Sequence, residues 1–192
     1  ANRQARIAAD NMVSGNHEKY EGAVGTSIAK VFDTTIASTG LPAKMLKKMN
    51  IVYASSTTTS ASHAGYYPGS FNITIKLTFD PKTGKLYGGQ CVGHDGVDKR
   101  IDQIALVIKH GGTVHDLVEL EQAYAPPFSS AKDPLAIAGY VAGNIINGSM
   151  PVVYWRELKE MDRKEITLVD VRTPEEFKLG SIDGAVNIPL DD

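Results

Sequence analysis

The sequence predicts an α+β fold in which helices cover one face of an antiparallel sheet. Ser70–Phe79 alternates apolar and polar residues, which is typical of a half-buried strand. The turn-forming run Asp80–Gly84 separates it from a second strand, Lys85–Gly93, so the two predict a hairpin. Val97–Lys109 then repeats apolar residues at helical spacing. Strands followed by helices indicate an α+β layer.

The residues before this hairpin add helices and extended segments. Asn2–Val13 has helical spacing, and the polar, glycine-containing Ser14–Gly25 is predicted to be a linker. Thr26–Ser38 is rich in β-branched residues and is predicted to be extended, with Asp33 marking a bulge or bend. A short helix and a strand follow, over Leu41–Met49 and Asn50–Ser60.

The most distinctive stretch is the loop Gln122–Pro134, which reads QAYAPPFSSAKDP. Pro126 and Pro127 forbid a helix and hold the backbone in an extended or turn conformation. An aromatic residue lies on each side, Tyr124 and Phe128. A rigid loop that carries aromatic side chains is suited to presenting one of them to another molecule.

A helix over Pro134–Asn147 is predicted to follow this loop. Asp133 is a favourable N-cap, and proline is well tolerated at the first helical position. Gly139 and Gly143 lie four residues apart on one face of the helix. Small residues at this spacing predict a tight contact with another subunit or with the sheet.

Few other residues in this part of the chain carry chemistry. Cys91 lies inside a predicted strand without a nearby thiol or base in the sequence, so we expect a small core residue. Lys99 and Arg100 could contact a phosphate, but in a solvated first helical turn we expect them to be exposed. His63 and Tyr66, in the segment SHAGYYPGS, could bind a ligand, order a loop or line an interface. No residue is predicted to bind a metal.

Composition excludes several classes of function. The chain has 192 residues, 42% apolar and 22% charged, which is an ordinary globular balance. The net charge of −2 gives no electrostatic case for nucleic acid or anionic membrane as a partner. There is no membrane-spanning run or signal-peptide pattern, and a single cysteine suits a reducing cytosol, so we expect a cytoplasmic protein. The start without Met and the end just after a strand-like run predict a piece of a longer protein.

A second domain is predicted after a boundary at Ser149–Pro151. Thr167–Val171 has the composition of a buried strand, and Thr173–Glu176 is a helix start with an N-cap, a proline and a capping box. Gly180–Leu190 predicts another turn and strand.

Taken together, these motifs resemble FAD-dependent pyridine nucleotide-disulfide oxidoreductases, in the branch of coenzyme A-disulfide reductase, NADH-dependent persulfide reductase and NADH oxidase. The run ANRQARIAADN resembles the helix that closes the FAD-binding domain, and TSIAKVFDTTIASTGL, HAGYYPG, GVDKRID and the proline loop resemble the dimerisation domain. VDVRTPEEFKLGSIDGAVNIPL resembles the first half of a rhodanese. The resemblance implies an FAD-domain helix over residues 1–24, a dimerisation domain over 25–150 and the N-terminal part of a rhodanese-like domain over 151–192.

The sequence departs from the family pattern at three positions. Ala5 replaces a usual glycine, Thr34 a usual second active-site tyrosine, and Ser181 a usual rhodanese histidine. Threonine at position 34 counts against coenzyme A disulfide as the substrate. The sequence stops before the loop that would carry a rhodanese cysteine, so we expect Asp170 and Arg172 to be framework residues.

The resemblance also implies roles for the loop. In the family this loop crosses the dimer interface, and its tyrosine enters the active site of the partner subunit. It therefore implies that Tyr124 is a catalytic group of a homodimer, and that Pro126 and Phe128 position it and approach the flavin. From the residues alone, Tyr124 would be only an interface anchor, because tyrosine is enriched in interfaces.

The whole protein is then expected to use FAD and NAD(P)H to reduce a sulfur-containing small molecule. This chain alone is expected to bind no cofactor and to lack turnover. The alternatives are a standalone protein-interaction module with the same fold, an NADH oxidase with oxygen as acceptor, and a sulfur carrier built around the rhodanese. A dinucleotide-binding fingerprint and a redox cysteine upstream of Ala1 would favour the flavoenzyme.

Overall fold

The computed structural model describes residues 2–15 and 18–190 and divides into two compact units, which meet in sequence between Met150 and Pro151. The first unit begins with the helix α1 (Asn2–Ser14), which has no buried residues. A five-stranded antiparallel sheet follows, in the order β1-β2-β5-β4-β3. Its strands are β1 (Ser27–Val31), β2 (Thr34–Gly40), β3 (Ala54–Ala61), β4 (Asn72–Phe79) and β5 (Leu86–Gly93).

Helices α3 (Val97–Lys109) and α5 (Pro134–Ile146) pack on one face of this sheet, and α4 (Asp116–Glu119) packs against α5. The short helix α2 (Ala43–Lys48) connects β2 to β3. Strand β4 supplies the centre of the core, because alternate side chains along a strand point to the same face. Its inward residues Ile73, Ile75, Leu77 and Phe79 are at most 1% exposed. The apolar stripes of α3 and α5 complete one continuous core with them.

The predicted hairpin and the α3 helix are present at the expected positions, but two predictions about strands need correction. Thr26–Ser38 is a hairpin of two strands rather than one extended segment. Asp33, predicted to mark a bulge or bend, lies in the turn between the two strands. The adjoining Phe32 has a φ of 51°, a left-handed conformation that closes the turn. Phe71, expected on the buried face, precedes β4 and is 50% exposed.

The paired glycines of α5 make a contact inside the chain. Gly139 is buried against α4, where a Cβ atom would lie 2.8 Å from Val118 Cγ2 and 2.9 Å from the Val114 carbonyl oxygen. The tight contact predicted from this glycine exists, but it joins two helices of one chain rather than a helix and another subunit or the sheet.

The second unit contains α6 (Trp155–Glu160), β6 (Val169–Asp170), α7 (Pro174–Leu179) and β7 (Val186–Asn187), and β6 pairs with β7 in parallel. The helix α6 has no counterpart in our sequence analysis. The capping box before α7 is confirmed, since Thr173 accepts a hydrogen bond from the backbone of Glu176 and Glu176 accepts one from Thr173. Arg172 is paired with Asp170 at 2.6 Å, and it also donates to the Gly180 carbonyl.

Candidate functional site

The loop Gln122–Pro134, called the Tyr124 loop below, leaves two aromatic side chains exposed. Tyr124 is 56% exposed and Phe128 is 69% exposed. Between them the chain turns, and the backbone N–H groups of Phe128 and Ser129 both donate to the Ala125 carbonyl, at 2.9 and 3.1 Å. Pro126, within this turn, is partly buried. The loop therefore has a fixed backbone and a free aromatic surface.

A buried ion pair lies beneath the loop. Arg100, in the first turn of α3, is 1% exposed. Its Nη2 and Nε donate to the two carboxylate oxygens of Asp133, at 2.7 and 3.3 Å. The same guanidinium donates to the carbonyls of Ser62 at 2.8 Å and Gly96 at 3.1 Å. Burying a charge is costly unless it is paired and hydrogen-bonded, and Arg100 meets both conditions.

Asp133 collects several donors at the end of the Tyr124 loop. It caps α5 as predicted, by accepting from the Leu135 backbone N–H at 2.9 Å, and it accepts from Ser129 Oγ at 2.7 Å. With its amide nitrogen turned toward Asp133, Gln122 donates at 3.0 Å. Burial alone would raise the pKa of Asp133, but these hydrogen bonds and the charge of Arg100 outweigh it and lower the pKa. The carboxylate is therefore held in its charged form.

A second stretch, Ser62–Ser70, lies against the Tyr124 loop and is called the Tyr66 segment below. The backbone N–H of Ala64 in this segment lies 3.3 Å from the Pro126 carbonyl and 3.2 Å from the Ser129 carbonyl. His63 is 5% exposed, and its two ring nitrogens contact the Ser62 hydroxyl and the Pro68 carbonyl, both at 3.3 Å. These contacts order the segment from both ends.

The two stretches bring two tyrosines together. Tyr66 and Tyr124 lie close enough to interact. The pKa of Tyr66 is raised, first by loss of hydration and then by its interaction with Tyr124. Tyr66 itself is 78% exposed, so the pair faces outward. A pair of phenols at the surface can donate and relay a proton to a group that binds there.

The structure corrects one expectation about this region and adds two residues to it. Arg100 and Lys99 were expected to be exposed. Arg100 is instead buried, and Lys99 is partly buried, with its Nζ 3.9 Å from Asp133. The signal that could have revealed the burial of Arg100 is its position three residues after Val97 and four before Ile104, on the buried stripe of α3. Tyr66 was missed as a partner of Tyr124, because the two are far apart in sequence. Thr34, where the family pattern has a tyrosine, lies on β2, which β5 and β4 separate from β3.

Other candidate residues lie outside this cluster. Cys91 is fully buried in β5, and burial raises the pKa of its thiol to about 12, so the predicted core role is confirmed. Among residues 2–15 and 18–190, no group of three His, Cys, Asp or Glu side chains could hold a metal ion. The helices within the same residues are also too short or too polar to cross a membrane.

Two family models match this chain. The model described as "Pyridine nucleotide-disulphide oxidoreductase, dimerisation domain" matches residues 26–136. The model described as "Rhodanese-like domain" matches residues 155–192. The first match covers the sheet, α3, the Tyr66 segment and the Tyr124 loop, so the predicted fold class is confirmed.

Individual proteins are also similar to this chain. The coenzyme A disulfide reductase of Staphylococcus epidermidis is 38% identical over 142 residues, which is 74% of this chain and 32% of that protein. The structure of reduced Bacillus anthracis CoADR-RHD matches with a TM-score of 0.93 and 50% identity, over 99% of this chain and 34% of its own. The structure of a NAD-dependent persulfide reductase from A. fulgidus matches with a TM-score of 0.85 and 35% identity, over 98% of this chain and 34% of that protein. The chain thus spans about one third of the length of these relatives.

Proposed function

We propose, given that this chain belongs to the family of pyridine nucleotide-disulphide oxidoreductase dimerisation domains, that it forms the dimerisation part of an FAD-dependent enzyme that reduces disulfide, persulfide or polysulfide sulfur. Membership in the family confirms the resemblance inferred from the motifs. Residues 1–24 would belong to an FAD-binding domain, residues 25–150 to the dimerisation domain and residues 151–192 to a rhodanese-like domain. The larger protein would be a cytoplasmic homodimer without a nucleic-acid or membrane partner.

The observation that carries this proposal is the exposed side chain of Tyr124, on a loop that a buried ion pair holds in place at its end. Reduction of a sulfur–sulfur bond leaves one sulfur as a thiolate, which must be protonated or stabilised. A tyrosine hydroxyl can donate the hydrogen bond or the proton, provided that it is held in the correct position. We therefore assign Tyr124 as the catalytic group, with Tyr66 as its neighbour.

The chain offers a limited contact for a flavin. Phe128 is an exposed apolar ring on the same loop, and Pro126 holds the turn between it and Tyr124. An apolar ring and a proline suit the edge of a planar isoalloxazine but not its phosphates, so we assign these two residues to edge contact alone. FAD and NAD(P)H would be bound by the remainder of the protein, and FAD, when bound, supplies the transfer of reducing equivalents to sulfur. This chain by itself would bind neither cofactor and would have no turnover.

The test is a Tyr124→Phe change in the full-length protein, which removes only a hydroxyl. We expect reduction of the enzyme by NADH to be unchanged and its reoxidation by coenzyme A disulfide or persulfide to slow about 10²–10⁴-fold, the usual contribution of a positioned proton donor. Rapid-mixing absorbance of the flavin separates the two half-reactions.

The matched control is Tyr140→Phe, which removes an equally simple hydroxyl from a tyrosine that is 50% exposed on α5. If both variants reoxidise at the wild-type rate, Tyr124 is an interface residue and the assignment is wrong. Rapid reoxidation of the wild-type enzyme by oxygen, but not by either sulfur acceptor, would identify an NADH oxidase instead.

A further inference from the structure

One guanidinium joins the two tyrosine-bearing stretches. Arg100 Nη2 donates both to the Ser62 carbonyl, at the start of the Tyr66 segment, and to Asp133, at the end of the Tyr124 loop. The distances are 2.8 and 2.7 Å, so neither contact is marginal. The two stretches are therefore anchored to a single group in the core, although about sixty residues separate Tyr66 from Tyr124 in the sequence.

The direct contacts between the stretches are weaker than this anchor. Apart from the two tyrosines, the backbone hydrogen bonds between the described residues of the two stretches share one donor, the Ala64 N–H, which lies 3.3 and 3.2 Å from two carbonyl oxygens. A shared donor at these distances makes two poor hydrogen bonds rather than one good one. The hydroxyl pair lies at the ends of two flexible, exposed side chains. The relative position of the two stretches must then be set by the buried groups that both contact, namely Arg100 and its partner Asp133.

We propose that Arg100 and Asp133 are positioning residues that set the geometry of the Tyr66–Tyr124 pair. Stability alone does not explain the ion pair, because apolar residues of similar volume often replace a buried pair without loss. The cap of α5 does not require a charge either, because asparagine caps as well as aspartate. The planar guanidinium of arginine can donate hydrogen bonds to two acceptors at fixed angles, which an apolar side chain cannot do.

The role of the pair in chemistry rests on the function proposed above, but the geometry can be tested in this chain alone. The double variant Arg100→Met with Asp133→Asn removes both buried charges together and keeps a capping side chain. Lys99, which lies 3.9 Å from Asp133, is 30% exposed and keeps its contact with solvent. The control is Arg6→Met with Asp10→Asn, which removes a 3.6 Å ion pair whose side chains are 85% and 50% exposed on α1.

Two measurements report on position rather than on overall stability. Amide hydrogen exchange at Ala64 follows the junction of the two stretches, and exchange in β4 follows the core of the same unit. We expect exchange at Ala64 to accelerate about tenfold or more in the double variant while exchange in β4 stays unchanged. In a ¹³C-tyrosine titration, the pKa of Tyr66 should fall back toward the ordinary value of about 10 as the pair separates.

Equal acceleration at Ala64 and in β4 would overturn the proposal, because it would show a general structural role. Unchanged exchange at Ala64 together with an unchanged titration of Tyr66 would also overturn it. Arg100→Lys is the second variant and keeps the charge, but one ammonium lacks the fork that addresses both acceptors. We expect it to match the double variant at Ala64, and wild-type exchange in Arg100→Lys would contradict us. Because no turnover is measured, these outcomes are independent of the Tyr124→Phe test.

Discussion

Two glycines on the same face of α5 have opposite surroundings, and alanine at each should have opposite effects. A Cβ on Gly139 would lie 2.8 Å from Val118 Cγ2 and 2.9 Å from the Val114 carbonyl oxygen, and real Cβ atoms essentially never come so close. A Cβ on Gly143 would have only the His115 ring nearby, at 3.6 and 3.9 Å, which is ordinary contact. Gly139→Ala should therefore destabilise the first unit, and Gly143→Ala should stabilise it.

The magnitudes follow from two opposing effects. Alanine in place of a helical glycine gains about 1 kcal/mol of helix stability, and at Gly143 nothing opposes this gain. At Gly139 the added methyl overpacks a closed contact, which costs about 1–3 kcal/mol, and we expect this cost to exceed the gain because one of the two close atoms belongs to the backbone. The Val114 oxygen belongs to the backbone, so it cannot move without shifting the start of α4. The two variants should differ by about 1–3 kcal/mol in the free energy of unfolding, because the gain is common to both.

Thermal unfolding followed by far-UV circular dichroism measures this difference. For a domain of this size, each kcal/mol moves the Tm by about 2–4 °C. Gly143→Ala serves as the internal control for helix propensity. A Gly139→Ala protein as stable as Gly143→Ala would refute the reasoning, because it would show that α5 and α4 are not in tight contact.

Two further predictions concern titrating groups. Backbone N–H groups of Thr83 and Lys82 and the Tyr87 hydroxyl lower the pKa of Asp80 to about 2, so the native state favours the carboxylate. The stability that this group adds is present at neutral pH and is lost as the pH falls from about 4 to about 2. The Tm advantage of wild type over Asp80→Asn should therefore narrow over that range, and a constant gap would contradict us. Cys91, with a thiol pKa of about 12 and no exposure, should react with a thiol reagent only as fast as the fold opens. Labelling within seconds in native buffer would show that Cys91 is accessible.

Much of the first unit could be predicted from local pattern. The alternation of Ser70–Phe79 and the helical spacing of Val97–Lys109 survive in the structure, because one face of each must be buried and the period of the element decides which residues form it. Caps were equally predictable. Asp133 and Thr173 are bound to backbone N–H groups two and three residues away, so their contacts need no distant part of the chain.

The contacts within the candidate site could not be predicted, because they join residues that are far apart in the sequence. The proline loop and its aromatic residues could be picked out by composition, but their neighbours could not. Tyr66 follows β3 and Tyr124 precedes α5, and the two come close because α5 packs against β3. Nothing local to either residue in the sequence indicates that contact. The sequence also predicted a tight contact at Gly139 but not its partner. The small size of glycine is known from the sequence, whereas the identity of the residue that packs against it depends on the fold.

Arg100 shows most clearly what could not be predicted from the sequence. A charged residue in a first helical turn is ordinarily solvated, and the sequence alone supported that reading. Burial became tolerable only because Asp133 and the Ser62 carbonyl converge on the guanidinium in the folded chain. By itself, then, the sequence determined most elements of the first unit, the caps of α5 and α7 and the family resemblance, all of which depend on neighbours within a few residues. Tertiary structure alone decided which polar groups are buried together and which tyrosines meet, because both depend on contacts between segments that the fold brings together.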